Sequence, residues 1–480
     1  MNCFKIFLCW LGLFGSSACA QDPMPFPDKN YASYRESAIH DRRFKHIDIV
    51  PLIHQLPDRI FEKKVMGQSI EGRDIYRIKV GQGSTKILLW SQMHGNEPTA
   101  TMAIFDLLNF FAANDSLNPL RSEILQGATL YFIPMLNPDG AEQYQRRNAL
   151  EIDLNRDALR LQCPESKILK AAVDDLSPDW GFNLHDQNRY SSAGKTSNTA
   201  SMSFLAPAYD EAKSWNTKRT EAMQLIVAMN SILQIYLPNK IGRYSDDFEP
   251  RAFGDNIQKW GTRTILIETG ALKGDLEKQH LRKLNFIALI HAFQEIINRQ
   301  YDRHTLDEYN SIPLNKDFLH DVIIRRATMI KNHKPYVLDI GFRHHEVNQS
   351  NLRDFESHYS ISDIGDLHNY FAYREVDANG LTLEPGKVYP KTYPHLSQLT
   401  PNQIERLLKE GYTTIRVQEV VGQIDKLHCA LNVIGPQSTP ATEIKLGADP
   451  PLILTKDDTV KYAIINGRIF DLEKENVLAE

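Results

Sequence analysis

The chain has 480 residues, 42% of them hydrophobic and 24% charged, a composition that suits a folded polypeptide of about two to four domains and excludes a disordered, collagenous or coiled-coil architecture. Its 55 basic and 60 acidic residues leave a formal charge of -5, which offers no electrostatic footprint for nucleic acid or an anionic membrane.

Taken in chain order, the first segment to read is the N-terminus. Lys5 precedes an apolar stretch from Ile6 to Phe14, and Ala18-Cys19-Ala20 puts small residues where a secretory signal is cut. This predicts a signal peptide over residues 1–20, no transmembrane segment, and an exported protein, periplasmic or secreted. A lipid anchor at Cys19 is the alternative, because Ser17-Ala18-Cys19 partly resembles a bacterial lipobox. Cleavage leaves Cys163 and Cys429 as the remaining cysteines, so at most one disulfide can form and stability has to come from a core.

From Phe61 to Val80 a polar and apolar mixture around Gly67, Gly72 and Gly81 reads as paired strands with turns. Four nearly apolar runs follow, each with the character of a strand buried on both faces: Lys86 to Trp90, Leu130 to Met135, Trp180 to Leu184, and Thr264 to Ile267. The first runs into His94-Gly95-Asn96-Glu97 and then a helical pattern beginning at Ala100. The second leads into Asn137-Pro138-Asp139-Gly140, a turn by composition, while the third ends at His185 and the fourth at Glu268. Because ligands in an open α/β sheet bind beyond the carboxyl ends of the strands, four such ends carrying polar groups predict one shared site. Asp275 to about Gln300 has the apolar spacing of a long helix.

Beyond residue 300 short strand-like runs are separated by Pro, Gly, Asn and Asp, which predicts a β-rich region. Within it, Thr400 as N-cap, Pro401 at the first helical position and Gln403 at the third open a helix that Gly411 stops. The expected fold is therefore α/β, a mixed and largely parallel sheet flanked by helices over residues 21–300, followed by a β-rich accessory domain over 301–480. Arg343-His344-His345-Glu346 is read as a surface or loop segment, since adjacent histidines on a strand face opposite ways.

His94 and Glu97 stand three residues apart, so a short turn can aim an imidazole and a carboxylate at one point, with His185 as a third ligand. Three such ligands suit a catalytic zinc, which keeps a position open for water. The segment from Arg146 to Asp157 adds two arginine sites and an asparagine, and guanidinium groups bind carboxylates in bidentate fashion and can polarise a carbonyl.

Over residues 30–300 the chain resembles the zinc metallocarboxypeptidases, the carboxypeptidase A-like family. The resemblance rests on Gly67-Gln68-Ser69-Ile70-Glu71-Gly72-Arg73-Asp74-Ile75, His94-Gly95-Asn96-Glu97, Asn137-Pro138-Asp139-Gly140, Asp153-Leu154-Asn155-Arg156, Asn183-Leu184-His185 and Ile267-Glu268, in the family's order. It implies one Zn2+ bound by His94, Glu97 and His185, with Glu268 as the catalytic glutamate and Arg146 stabilising the oxyanion. Asn155 and Arg156 would hold the substrate's terminal carboxylate. Tyr244 matches the family's mobile tyrosine, with Tyr190 and Tyr209 as alternatives. The implied partner is a peptide with a free C-terminal carboxylate, from which the last residue is removed. Departures from the family pattern are Asn96 between the ligands, Asp157 after Arg156 and Asp186 after His185; the extra acids would favour a basic substrate group or orient Arg156. Two rivals remain: a zinc-dependent deacylase or amidase acting on N-acyl amino acids or cell-wall peptides, and a non-catalytic binding protein on the same fold.

Overall fold

A computed structural model describes residues 28–418, 429–474 and 477–478; the expected signal over residues 1–20 and the lipid site at Cys19 lie outside them. The first region is built on an eight-stranded sheet. In chain order its strands are β1 (Glu62–Gln68), β2 (Asp74–Gly81), β3 (Thr85–Ser91), β4 (Ala128–Ile133) and β5 (Trp180–Asp186). A short outlying strand β6 (Ser191–Ala193) precedes β7 (Met202–Leu205), β8 (Ile241–Arg243) and β9 (Arg263–Thr269). Their order across the sheet is β1-β2-β4-β3-β5-β9-β7-β8. The central strands β4, β3, β5 and β9 are parallel to one another, whereas β1, β2 and β7 join antiparallel.

The apolar runs explain this placement. Ile87 and Leu89 of β3 pack with Leu130 and Phe132 of β4 into one core, together with the helices Thr99–Ala112, Thr217–Gln234 and Gln279–Ile297. Leu88 and Trp90 point the other way and pack with Ile133, Leu169 and Phe253 under the helices Pro164–Leu176 and Phe253–Lys259. Alternation with period two thus gives β3 and β4 two apolar faces, as a sheet covered on both sides requires. No helix among the described residues is long and apolar enough to cross a membrane.

The expected turn at Asn137 is instead the start of a short helix, Pro138–Gln143. The Asn137 side chain accepts a hydrogen bond from the Gly140 N–H, and Pro138 sits where its missing N–H costs nothing. The downstream region is β-rich, as expected, and holds β10 (Asn315–Asp317), β11 (Leu319–Lys331), β12 (Lys334–Asn348) and β13 (Phe355–Gly365). The last three lie side by side in a second eight-stranded sheet. The capping box at Thr400 and Gln403 opens the helix Pro401–Lys409, which covers a three-stranded sheet.

Candidate active site

The carboxyl ends of β3, β5 and β9 meet at one edge of the sheet, and each delivers a functional side chain. After β3 the backbone turns sharply at Gln92, whose φ is 45°, and the Gln92 amide donates to the Gly95 carbonyl at 3.0 Å. Gly95 is required by close approach: a Cβ there would lie 1.9 Å from the backbone carbon of Gly140. The His94–Glu97 turn and the Asn137–Gly140 helix start are thereby packed backbone to backbone, and Glu97 emerges just before the helix Thr99–Ala112.

His94, Glu97 and His185 converge. Their ligand atoms all lie within 4.8 Å of one another, and all three residues are buried. Glu97 Oε1 is 2.9 Å from His94 Nδ1, Glu97 Oε2 is 2.7 Å from His185 Nδ1, and the two Nδ1 atoms are 3.1 Å apart. His94 Nε2 faces Asp153 Oδ1 at 3.0 Å, so Nε2 keeps its proton and donates it in a hydrogen bond to the carboxylate, and the Nδ1 lone pair is turned to the common point. Two imidazoles and one carboxylate with such a supporting acid form a donor set that fits zinc. Burial alone would raise the Glu97 carboxyl, but the two histidines hold it well below the usual carboxylate range.

Sequence reading assigned no role to Asp153 itself. Its second oxygen accepts from Arg146 Nε at 3.0 Å, and the Asn155 N–H donates to the first at 2.9 Å. Arg146 also reaches toward Glu97 Oε1 at 3.4 Å. Asn155 accepts from the Phe253 N–H at 2.9 Å, while Arg156 pairs with Glu249 at 3.3 Å and is not among the residues lining the cavity described next.

A cavity of about 580 Å³ opens beside the ligand set, lined in part by Glu97, Arg146, Tyr244 and Glu268. Glu268 is directly across from His185 in the β5–β9 register. Burial, with Glu97 and Asp186 nearby, pushes its carboxyl well above the ordinary range. The Tyr244 hydroxyl donates to Gln187 Oε1 at 2.8 Å, and Gln187 in turn accepts from Asn315 at 3.0 Å. Of the alternative tyrosines, Tyr190 has its hydroxyl 2.9 Å from Asp321 and 2.6 Å from the His344 carbonyl oxygen.

Neither additional acid orients Arg156. The Asp157 carboxylate accepts from the Gln162 and Cys163 N–H groups at 3.0 Å each, closing its own loop. Asp186 holds Thr99 at 2.6 Å and Lys278 at 3.1 Å, and its backbone N–H supports Glu97 Oε2 at 3.2 Å. The segment Arg343 to Glu346 is not a surface loop either. It lies in β12, where His344 is buried and His345 exposed, and it borders the same cavity.

Residues 51–237 match the family model described as zinc carboxypeptidase. Over this segment the chain is similar to the zinc carboxypeptidase family. His94, Glu97, Arg146, Asn155, Arg156 and His185 fall inside the matched span; Tyr244 and Glu268 lie beyond it. Among curated relatives, Carboxypeptidase SOL1 of Arabidopsis thaliana is 28% identical over 136 residues, 25% of this chain and 28% of that protein. Carboxypeptidase 2 of Trichophyton rubrum is 31% identical over 105 residues, 22% of this chain and 19% of that one. The chain thus spans under a third of the length of these carboxypeptidases. Among solved structures, a metallo-carboxypeptidase from Pseudomonas aeruginosa aligns with a TM-score of 0.43 at 17% identity, over 55% of this chain and 68% of that one. Bovine thrombin-activatable fibrinolysis inhibitor aligns with a TM-score of 0.45 at 14% identity, over 55% of this chain and all of that one.

Proposed function

We propose that the chain is an exported zinc metallocarboxypeptidase that hydrolyses the C-terminal peptide bond of peptides, with residues 21–300 as the catalytic region and residues 301–480 as an accessory one. The observation that carries this reading is the convergence of His94, Glu97 and His185 beside a cavity that Glu97, Arg146 and Glu268 line, in a chain whose 51–237 segment matches that family. His94, Glu97 and His185 would hold the metal. The chemistry that zinc supplies in such a set is Lewis acidity toward a water and a carbonyl.

The protein's own groups divide the remaining work. Glu268, kept basic enough by its buried and acidic surroundings, takes the proton of the attacking water and returns it to the leaving amine. Arg146, fixed by Asp153, points its guanidinium at the charge that develops on the carbonyl oxygen. Arg156 takes the terminal carboxylate of the peptide, with Asn155 beside it. Tyr244 covers the reacting groups from the cavity side.

The test is a mixed peptide library incubated with the zinc-loaded protein and read by mass spectrometry. Single residues released from C-termini are expected, and Glu268→Gln should abolish release while keeping the metal. Turnover of N-acyl amino acids with peptides untouched would replace this reading by the deacylase.

A further inference from the structure

The cavity beside the ligand set is bordered on one side by residues more than 150 positions downstream of His185. His344 and Glu346 of β12 line it together with Arg189 and Lys278 of the first region. The strand is held there by a dense interface. Glu346 pairs with both Arg42 and Arg43, Asn348 accepts from Arg43 at 2.7 Å, and Arg189 pairs with Asp321 at 2.9 Å. Antiparallel pairing of β10 with β6 continues the join.

Within this wall His344 has a defined chemistry. Arg189 Nη1 stands 3.4 Å from His344 Nδ1. A guanidinium only donates, so Nδ1 accepts and the ring proton is on Nε2. Burial, followed by the Arg189 charge, lowers the imidazole to about 4, which leaves the ring neutral at pH 7. No described residue accepts from Nε2. The wall therefore carries an uncommitted neutral N–H donor in a cavity whose arginines and lysine are paired, Arg42 with Glu346, Lys278 with Asp186, Arg146 with Asp153 and Arg189 with Asp321.

The cavity also has a direction. Asn155 and Arg156 are not among its lining residues, so a peptide with its terminal carboxylate at Arg156 and its scissile bond at the His94–Glu97–His185 set extends its amino-terminal part toward β12. The cavity's volume of about 580 Å³ is that of a site for one drug-sized ligand, equivalent to a few amino-acid residues.

We propose that β12 is part of the substrate site: His344 Nε2 donates to the peptide on the amino-terminal side of the scissile bond, and the wall restricts that side to a few residues, making short peptides the substrates. This rests on the carboxypeptidase reading above. Its test uses the full-length, zinc-loaded protein and peptides with a common C-terminal residue and progressively longer amino-terminal parts. The expected profile of kcat/KM rises over the first few residues and then falls for long chains. His344→Phe should reduce the gain on the longer of the short peptides about tenfold, the scale of one hydrogen bond, relative to the shortest. His344→Gln, which keeps an N–H donor, should recover most of it. Calorimetric Kd values for the same peptides on the Glu268→Gln protein should move in parallel, whereas Tyr336→Ser, at the exposed far end of β12, should leave the ratio as it is. A flat length profile on an active enzyme, which needs no variant to observe, overturns the proposal and leaves the carboxypeptidase reading standing. So does an unchanged length ratio in a folded His344→Phe protein. If no peptide of any length is cleaved, the carboxypeptidase reading fails and this proposal with it.

Discussion

The Asp153 carboxylate lies 3.0 Å from Nε2 of His94, and the same carboxylate grips Arg146. One acid therefore sets the tautomer of a proposed metal-ligand histidine and the aim of the arginine proposed to face the oxyanion. Asp153→Ala is expected to weaken zinc binding about 10–100-fold, the usual cost of losing such a supporting group, measured by competition with a chromophoric chelator. It should also lower kcat/KM of the fully zinc-loaded protein, because Arg146 loses its anchor.

Glu268 offers a cleaner separation of metal binding from chemistry. Glu268→Gln should retain stoichiometric zinc by elemental analysis while kcat falls about 10²–10⁴-fold, the range for removing a positioned acid–base group. Burial and neighbouring acids raise the Glu268 carboxyl in the zinc-free protein, and infrared titration of that protein against Glu268→Gln is expected to show it staying protonated to a higher pH than an ordinary glutamate.

Gly95 is constrained by its neighbour and not by its own φ. A Cβ at this position meets the Gly140 backbone at 1.9 Å, where no flexible side chain can yield. Gly95→Ala should push apart the two loops that carry Glu97 and Asp139, cost about 1–3 kcal/mol through overpacking, and give a protein with substoichiometric zinc.

The seat of β12 is testable through Arg43. Its guanidinium carbon lies 3.9 Å from the Tyr144 ring centroid and 4.5 Å from that of Phe355, while its nitrogens reach Glu346 and Asn348. Arg43→Ala removes a charge-assisted hydrogen bond and the stacked cation together. A loss of about 2–3 kcal/mol in denaturant unfolding is expected.

A pH-dependent contribution to stability is expected at Asp115. Hydrogen bonds from Arg121, and also from Tyr34 and the Leu117 N–H, hold its carboxyl below the usual range. A carboxyl depressed in the folded state stabilises above its unfolded pKa, and that contribution is lost as pH falls through the folded one. Asp115→Asn should therefore melt below the wild type at neutral pH, and the gap in Tm should close as the solution is acidified past the ordinary carboxylate range.

Much of the first region was legible because its signals are local. The runs that became β3, β4, β5 and β9 are nearly all apolar and end at the residues they present, and Thr400 with Gln403 marks a helix start within four positions. Asn137 was harder, since the same Asn-Pro-Asp-Gly composition serves a turn or an N-cap, and only the hydrogen bond to Gly140 decides between them. The Tyr244–Gln187–Asn315 chain and the wall around His344 leave no periodicity at all. Their partners are separated by 57, 128 and 155 residues, so tertiary packing alone brings them together. Asp153 could have been singled out as the one acid between Arg146 and Arg156 that precedes a polar turn.

The placement of β12 also bears on how the protein is made. Every residue of the proposed metal and reaction set precedes position 270, whereas the cavity wall begins after position 330. During vectorial synthesis, in which amino-terminal units fold first, the ligand set can assemble around an open cleft, and the cleft takes its final outline only when the later sheet arrives and Glu346 meets Arg42 and Arg43. A chain interrupted between these points would carry the reactive groups without the boundary that selects what reaches them.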